Sequence, residues 1–105
     1  MKYAIPSDDG KTVGPAFGRA LHFAVMEEDE GAYSLIENTG ASSEHGAGIG
    51  AAALLAERGV GCVLAPEVGP KAEAALKNAQ ITIRTLAAGS PLAEAFKTIL
   101  KEEGR

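Results

Sequence analysis

Six residues near the middle of the chain, Gly61-Cys62-Val63-Leu64-Ala65-Pro66, hold no charged side chain and are bounded by turn-formers. A run this short and this apolar reads as a β-strand buried on both faces. Segments of helical composition flank it. Residues 47–58 precede it and close at Gly59, placed as a C′ residue. After it, Gly69-Pro70 opens a second helix with proline in the first helical position. Strands joined through helices run parallel, with right-handed crossovers. This run therefore dictates an α/β sheet with helices on its faces.

The remaining elements follow from punctuation and period. Strands are expected near residues 2–6, 21–27, 32–37, 61–66 and 81–86, with helices near 46–58, 70–78 and 91–102. The first three strands are separated by short loops, which favours antiparallel neighbours. Helical spacing predicts inward stripes of Ile49, Ala52, Ala53 and Ala56, widened by Leu54 and Leu55. The second helix turns in Ala72, Ala75, Leu76 and Ala79, and the third Leu92, Phe96, Ile99 and Leu100. Ser90-Pro91 reads as the cap of the third. The most economical order places strand 1 beside strand 4. That gives one domain over residues 1–105, a mixed five-stranded sheet of order 3-2-1-4-5 with strand 2 antiparallel and helices on both faces. This is a ribonuclease-H-like, three-layer arrangement. It brings residues 7–10, 39–46 and 66–69 to one rim, where open α/β sheets bind ligands.

Charge narrows the partners. The net charge is −4, and residues 1–40 hold 7 of the 14 acidic side chains but only 3 of the 10 basic ones. The excess sits at Glu27-Glu28-Asp29-Glu30, read as a solvated hairpin tip. Nothing forms a basic stripe, so nucleic acid is not an expected partner. No apolar run approaches the roughly 18–20 residues that span a bilayer, and no membrane partner is expected. The N-terminus runs straight into a strand pattern without a signal-peptide core. A single cysteine excludes an internal disulfide and fits a cytoplasmic location.

The stretch from Asn38 to Ala53 is the candidate site. A loop of small polar residues ends in a helix, with His45, Gly46, Gly48 and Gly50 at the junction. A helix start carries unpartnered N–H groups and partial positive charge, and glycine lets an anion approach that backbone. His45 adds a hydrogen-bond donor or metal ligand. The residues alone also admit a packing reading, in which the glycines let the helix lie close on the sheet and Ser42 or Ser43 is its N-cap. His22, inside an apolar strand, reads as a packed or edge histidine, and Cys62 as a buried small hydrophobe. One Cys and two His do not close a structural zinc site. Ser42 or Ser43 lies too near His45 in one loop for a nucleophile–base pair, and no orienting carboxylate is evident. Asp8 and Asp9 are adjacent, so in a strand they point to opposite faces rather than converging on two metals.

Together, Ala4-Ile5-Pro6-Ser7-Asp8-Asp9-Gly10, Phe17-Gly18-Arg19-Ala20, Asn38 with the loop to His45-Gly46-Ala47-Gly48, Gly59-Val60, and Val68-Gly69-Pro70-Lys71-Ala72 carry a resemblance. The chain resembles the dinitrogenase iron–molybdenum cofactor biosynthesis family, as a small stand-alone cluster-binding member. It departs from the family where Asn78-Ala79-Gln80 follows the second helix, a place where relatives have glycine. His45 also stands alone, where some relatives have a His-rich loop. The resemblance implies a non-enzymatic carrier of a molybdenum- or iron–sulfur cluster or its precursor, bound transiently between donor and acceptor proteins. Such an anion, held for transfer, suits many weak donors: the helix N–H groups at Gly46 and Gly48, the Ser42 and Ser43 hydroxyls and the charge of Arg19, with His45 as one labile metal ligand. The alternative is a nucleotide- or phosphate-binding regulatory module using the same helix start. The spacing of Gly46, Gly48 and Gly50 is not the dinucleotide fingerprint, and no P-loop lysine follows. A third reading is an interaction domain whose loop contacts a protein.

Overall fold

The structure, a computed structural model, describes residues 1–28, 32–40 and 46–102. The chain runs β1 (Lys2–Ser7), β2 (His22–Glu27), β3 (Tyr33–Glu37), α1 (Ala47–Glu57), β4 (Val60–Ala65), α2 (Pro70–Asn78), β5 (Thr82–Thr85) and α3 (Leu92–Glu102). Every element lies within one residue of its predicted span at each end. The sheet order is β3-β2-β1-β4-β5. β2 pairs antiparallel with β1 and β3, and β4 parallel with β1 and β5, so β2 alone opposes the rest. The ribonuclease-H-like topology predicted from the punctuation is the one observed.

Alternation along the strands divides the core in two. Ala4, Phe23, Val63 and Ala65 face α1 and α2, packing with Ala51, Ala52, Leu55, Ala72 and Leu76. Tyr3, Ile5, Ala24, Met26, Cys62 and Leu64 face α3, packing with Leu92, Ala95, Phe96 and Ile99. β1 and β4 are buried on both faces, which is why their sequences lack a polar alternation. No helix among the described residues is long and apolar enough to cross a membrane.

The segment after β1 is tied to the start of α3. Thr12 bridges Pro91, Val13 N–H donates to the Ser90 carbonyl (2.8 Å), and Leu92 N–H to that of Lys11 (2.9 Å). Residues 11–13 therefore form a clasp across the face that α3 covers.

The inward face of α1 corrects the predicted stripe. Ala47, Ala51, Ala52 and Leu55 are buried, whereas Ile49 is 48% exposed and Ala53 and Ala56 face solvent. Ala, Gly, Leu and Ile recur on every side of this helix, so period carried little information, and a close approach to α2 set its rotation. A Cβ on Gly48 would stand 2.7 Å from the Ala72 Cβ, closer than carbon atoms pack. In α2, Ala79 is likewise exposed, while Ala72 and Leu76 are buried as expected.

Gln80, just past α2, has φ 63, alone among non-glycine residues described. It belongs to the Asn78-Ala79-Gln80 stretch where relatives have glycine, and a side chain in this conformation costs about 1–2 kcal/mol.

Three substitutions test this packing. Gly48→Ala should lower the unfolding free energy by about 1–2 kcal/mol, since overpacking outweighs the gain in helix propensity. Gly50→Ala, with nothing among the described residues within 4 Å of the added Cβ, should raise it by about 0.5–1 kcal/mol. Gln80→Gly should also stabilise, by about 0.5–1 kcal/mol after the entropy of the more flexible unfolded chain is counted. Urea denaturation measures all three, and equal effects of Gly48→Ala and Gly50→Ala would refute the close approach.

Candidate functional site

β1, β3, β4 and β5 run the same way, so their C-terminal ends share one rim with the entry to β2. Residues 7–10, 38–40 and 66–69 and the start of α1 gather there, as the topology predicts. Two polar side chains, Ser7 and Asn38, are buried in the whole described structure, and both lie at this rim.

Asn38 clamps the turn carrying Arg19. Its Nδ2 donates to the carbonyls of Gly18 (3.1 Å) and Ala20 (2.8 Å), and its backbone N–H to that of Leu21 (3.0 Å). Asp8 Oδ1 accepts the Leu21 N–H at 3.1 Å from the other side. Gly18 then lies directly on α1: a Cβ there would be 2.8 Å from both N and Cα of Gly48. Arg19, exposed at the tip of this turn, is thereby held beside the first turn of α1.

The start of α1 differs from the packing expectation. Its N-cap is Gly46, in a left-handed conformation at φ 77, with no side-chain cap. Neither Ser42 nor Ser43 is therefore the N-cap. No acidic residue occupies the first turn, so among the described residues neither a side-chain cap nor a carboxylate within the helix offsets its partial positive charge. A left-handed start is natural to glycine. The three glycines thus have separate reasons: Gly46 a conformation, Gly48 a close approach, and Gly50 neither. Ser42, Ser43 and His45 lie outside the described residues.

The other candidates are distributed as follows. Cys62 is 2% exposed, mid-strand on the α3 face, away from α1. His22 opens β2, opposite Ser7 and Glu37. Its Nδ1 is buried and meets no hydrogen-bond partner among the described residues. No group of three His, Cys, Asp or Glu side chains that could hold a metal occurs among the described residues. The donors placed at α1 suit an anion.

The Asp8–Asp9 pair is scaffolding. Asp9 Oδ1 accepts the backbone N–H groups of Lys11 and Thr12 (2.8 Å each), and Oδ2 accepts the Thr12 hydroxyl at 2.9 Å. Ser7 Oγ accepts the Gly10 N–H (2.9 Å) and donates to the Thr12 carbonyl (2.6 Å). Sequence reasoning identified this turn but missed Ser7 as its anchor, and Asn38 as the anchor of the Arg19 turn. Their partners are backbone groups, and for Asn38 they lie 18 and 20 residues away.

Hydrogen bonds to the Asp9 carboxylate from the Lys11 backbone, then the Thr12 backbone and hydroxyl, hold its pKa at about 2, below the ordinary 3.8. A value lowered on folding gives stability that is fully present above the unfolded pKa and lost as pH falls through the folded one. The stability gap between wild type and Asp9→Asn should therefore narrow between about pH 4 and pH 2. Urea titrations at stepped pH measure it, and a constant gap would show the carboxylate charge to be irrelevant.

Comparison with known proteins agrees with this architecture. The apo form of the orange protein from Desulfovibrio gigas is 33% identical and superposes with a TM-score of 0.90, covering 97% of this chain and 88% of that one. A putative NifB protein from Thermotoga, solved by NMR, is 28% identical with a TM-score of 0.76, covering 96% and 87%. An uncharacterized protein of Methanocaldococcus jannaschii is 35% identical over 86 residues, 79% of this chain and 72% of its own length. Residues 1–102 match the family described as Dinitrogenase iron-molybdenum cofactor. The chain belongs to that family, and its role is cofactor-related.

Proposed function

We propose that this protein binds and delivers, without catalysis, an iron–molybdenum-type or other metal–sulfur cluster or its precursor, held at the rim where α1 begins. The observation that carries this reading is the pairing of a helix start without a side-chain cap and the Arg19 turn, locked together by the Gly18–Gly48 contact. Such a site offers an anion several hydrogen-bond donors and one guanidinium, with no group of three metal-ligating side chains among the described residues. Binding of that kind is reversible, as delivery between a donor and an acceptor protein requires. Ser42, Ser43 and His45 immediately precede the helix start. They would add two hydroxyls and one imidazole, the latter a labile ligand to the cluster metal. Membership in the family and likeness to the orange protein and the putative NifB protein support a cargo of this class. Asp8 and Asp9, the two carboxylates of the 7–10 turn, accept backbone hydrogen bonds, which commits them to holding that turn.

The test is anaerobic titration with a soluble thiomolybdate anion and with a reconstituted iron–sulfur cluster, followed by visible absorbance. Arg19→Ala should weaken binding by up to about tenfold, the worth of one charged donor, with an effect that shrinks as salt rises. His45→Ala should weaken it by more, if imidazole is a ligand, and wild-type binding should fail as pH drops through about 6.5. Wild type that binds neither anion, while nucleotide raises its melting temperature, would assign the helix start to phosphate instead.

A further inference from the structure

The two edges of the sheet are finished differently. β5 is four residues long with Arg84 inside it, paired with Glu102 of α3. A charged side chain within a short edge strand discourages further pairing. β3, Tyr33-Ser34-Leu35-Ile36-Glu37, has no lysine, no proline and no bulge against β2. Its central residue, Leu35, is 45% exposed.

The ladder fixes which backbone groups are on offer. Glu28 N–H bonds the Met1 carbonyl, and Asn38 N–H that of Leu21. With the observed registers, Ser34 and Ile36 turn their N–H and C=O toward β2, while Tyr33, Leu35 and Glu37 turn theirs away from the sheet.

We propose that a second copy of this chain docks here, β3 pairing antiparallel with β3 about a two-fold axis through Leu35. That axis sets each outward-facing residue against another, giving about six new backbone hydrogen bonds. Leu35 meets its twin, so the exposed side chain gains an apolar partner. Tyr33 stands opposite Glu37 of the second copy, and Ser34 opposite Ile36. Like charges do not face each other across the seam. The two Glu37 carboxylates are separated by roughly 13 Å along the ladder, beyond the about 8–10 Å over which exposed charges act. Glu27 and Glu28, at the far end of the hairpin, are held by the N-terminal ammonium of their own chain at 3.1 and 3.6 Å. The described carboxylates of this edge therefore do not oppose the contact, although each copy has a net charge of −4. An axis two residues on, through Glu37, would put carboxylate on carboxylate, so the charge pattern disfavours that register. A two-fold axis through Leu35 also points the two ligand rims in opposite directions, so each copy keeps its own site.

Sedimentation equilibrium from about 10 µM to 1 mM protein tests this, since a strand-pair interface is small and the complex weak. The dimer fraction should rise with concentration. Amide exchange at Tyr33, Leu35 and Glu37 should slow in step, while that at Ser34 and Ile36 stays unchanged. Leu35→Lys puts like charges on the axis and should raise the dissociation constant by about tenfold or more, with circular dichroism unaltered. Glu37→Pro removes an outward N–H without touching the β2 ladder and should act in the same direction. A wild-type monomer throughout overturns the proposal, and slow outward amides in such a monomer assign the edge to another segment of this chain. A dimer that survives both substitutions places the interface elsewhere.

Discussion

The contact between Gly18 and Gly48 is backbone on backbone, and the rest of the rim depends on it. Ala72 closes on Gly48 from the other side, so the Arg19 turn, α1 and α2 meet with almost no side chain between them. Contacts this close have few alternative arrangements, because any added atom forces one of three segments to move. Asn38 completes the lock by hydrogen-bonding the two carbonyls that flank Arg19. Losing that side chain would leave buried carbonyls unmet, at a cost of about 1–3 kcal/mol. The outcome is a fixed backbone that exposes N–H groups and a guanidinium where bulky side chains are scarce.

The glycines of this junction are not one motif. Gly46 serves a left-handed turn and Gly48 a helix crossing, so the packing reading accounts for two of them. Gly50 has neither a positive φ nor a close neighbour. Packing leaves unexplained this glycine and the first-turn N–H groups, which no side chain caps among the described residues. Those are the features a compact anion would use, and they are consistent with the cofactor-related role that family membership assigns.

The sheet was legible in the sequence because glycine and proline punctuate it and because the residues 61–66 run admits one kind of strand. The rotation of α1 was not legible: apolar residues surround the helix, and its orientation was chosen by a contact with Ala72, a residue beyond the next strand. The N-cap was misplaced for a related reason. Ser42 and Ser43 are the residue types that cap helices, yet a left-handed glycine four or three residues later begins this one. Asn38 was visible as a matching residue without a role, since its bonds reach back across β2 and β3. The departure at Gln80 was legible as an oddity, and the structure gives it a physical meaning as a left-handed position held by a side chain.

The central strand β1 acquires its two neighbours at very different stages of chain growth. β2 pairs with it through a local hairpin, Ala4 opposite Val25, whereas β4 must return with Val63 opposite the same Ala4. Closing the longer loop is the slower and more entropically costly event. Gly18, Asn38, Gly48 and Ala72 come together only after that second pairing, once α1 has packed and α2 has been made. The rim is therefore among the last parts of the molecule to exist. A ligand that requires it recognises the finished domain alone, not a chain still emerging or partly unfolded.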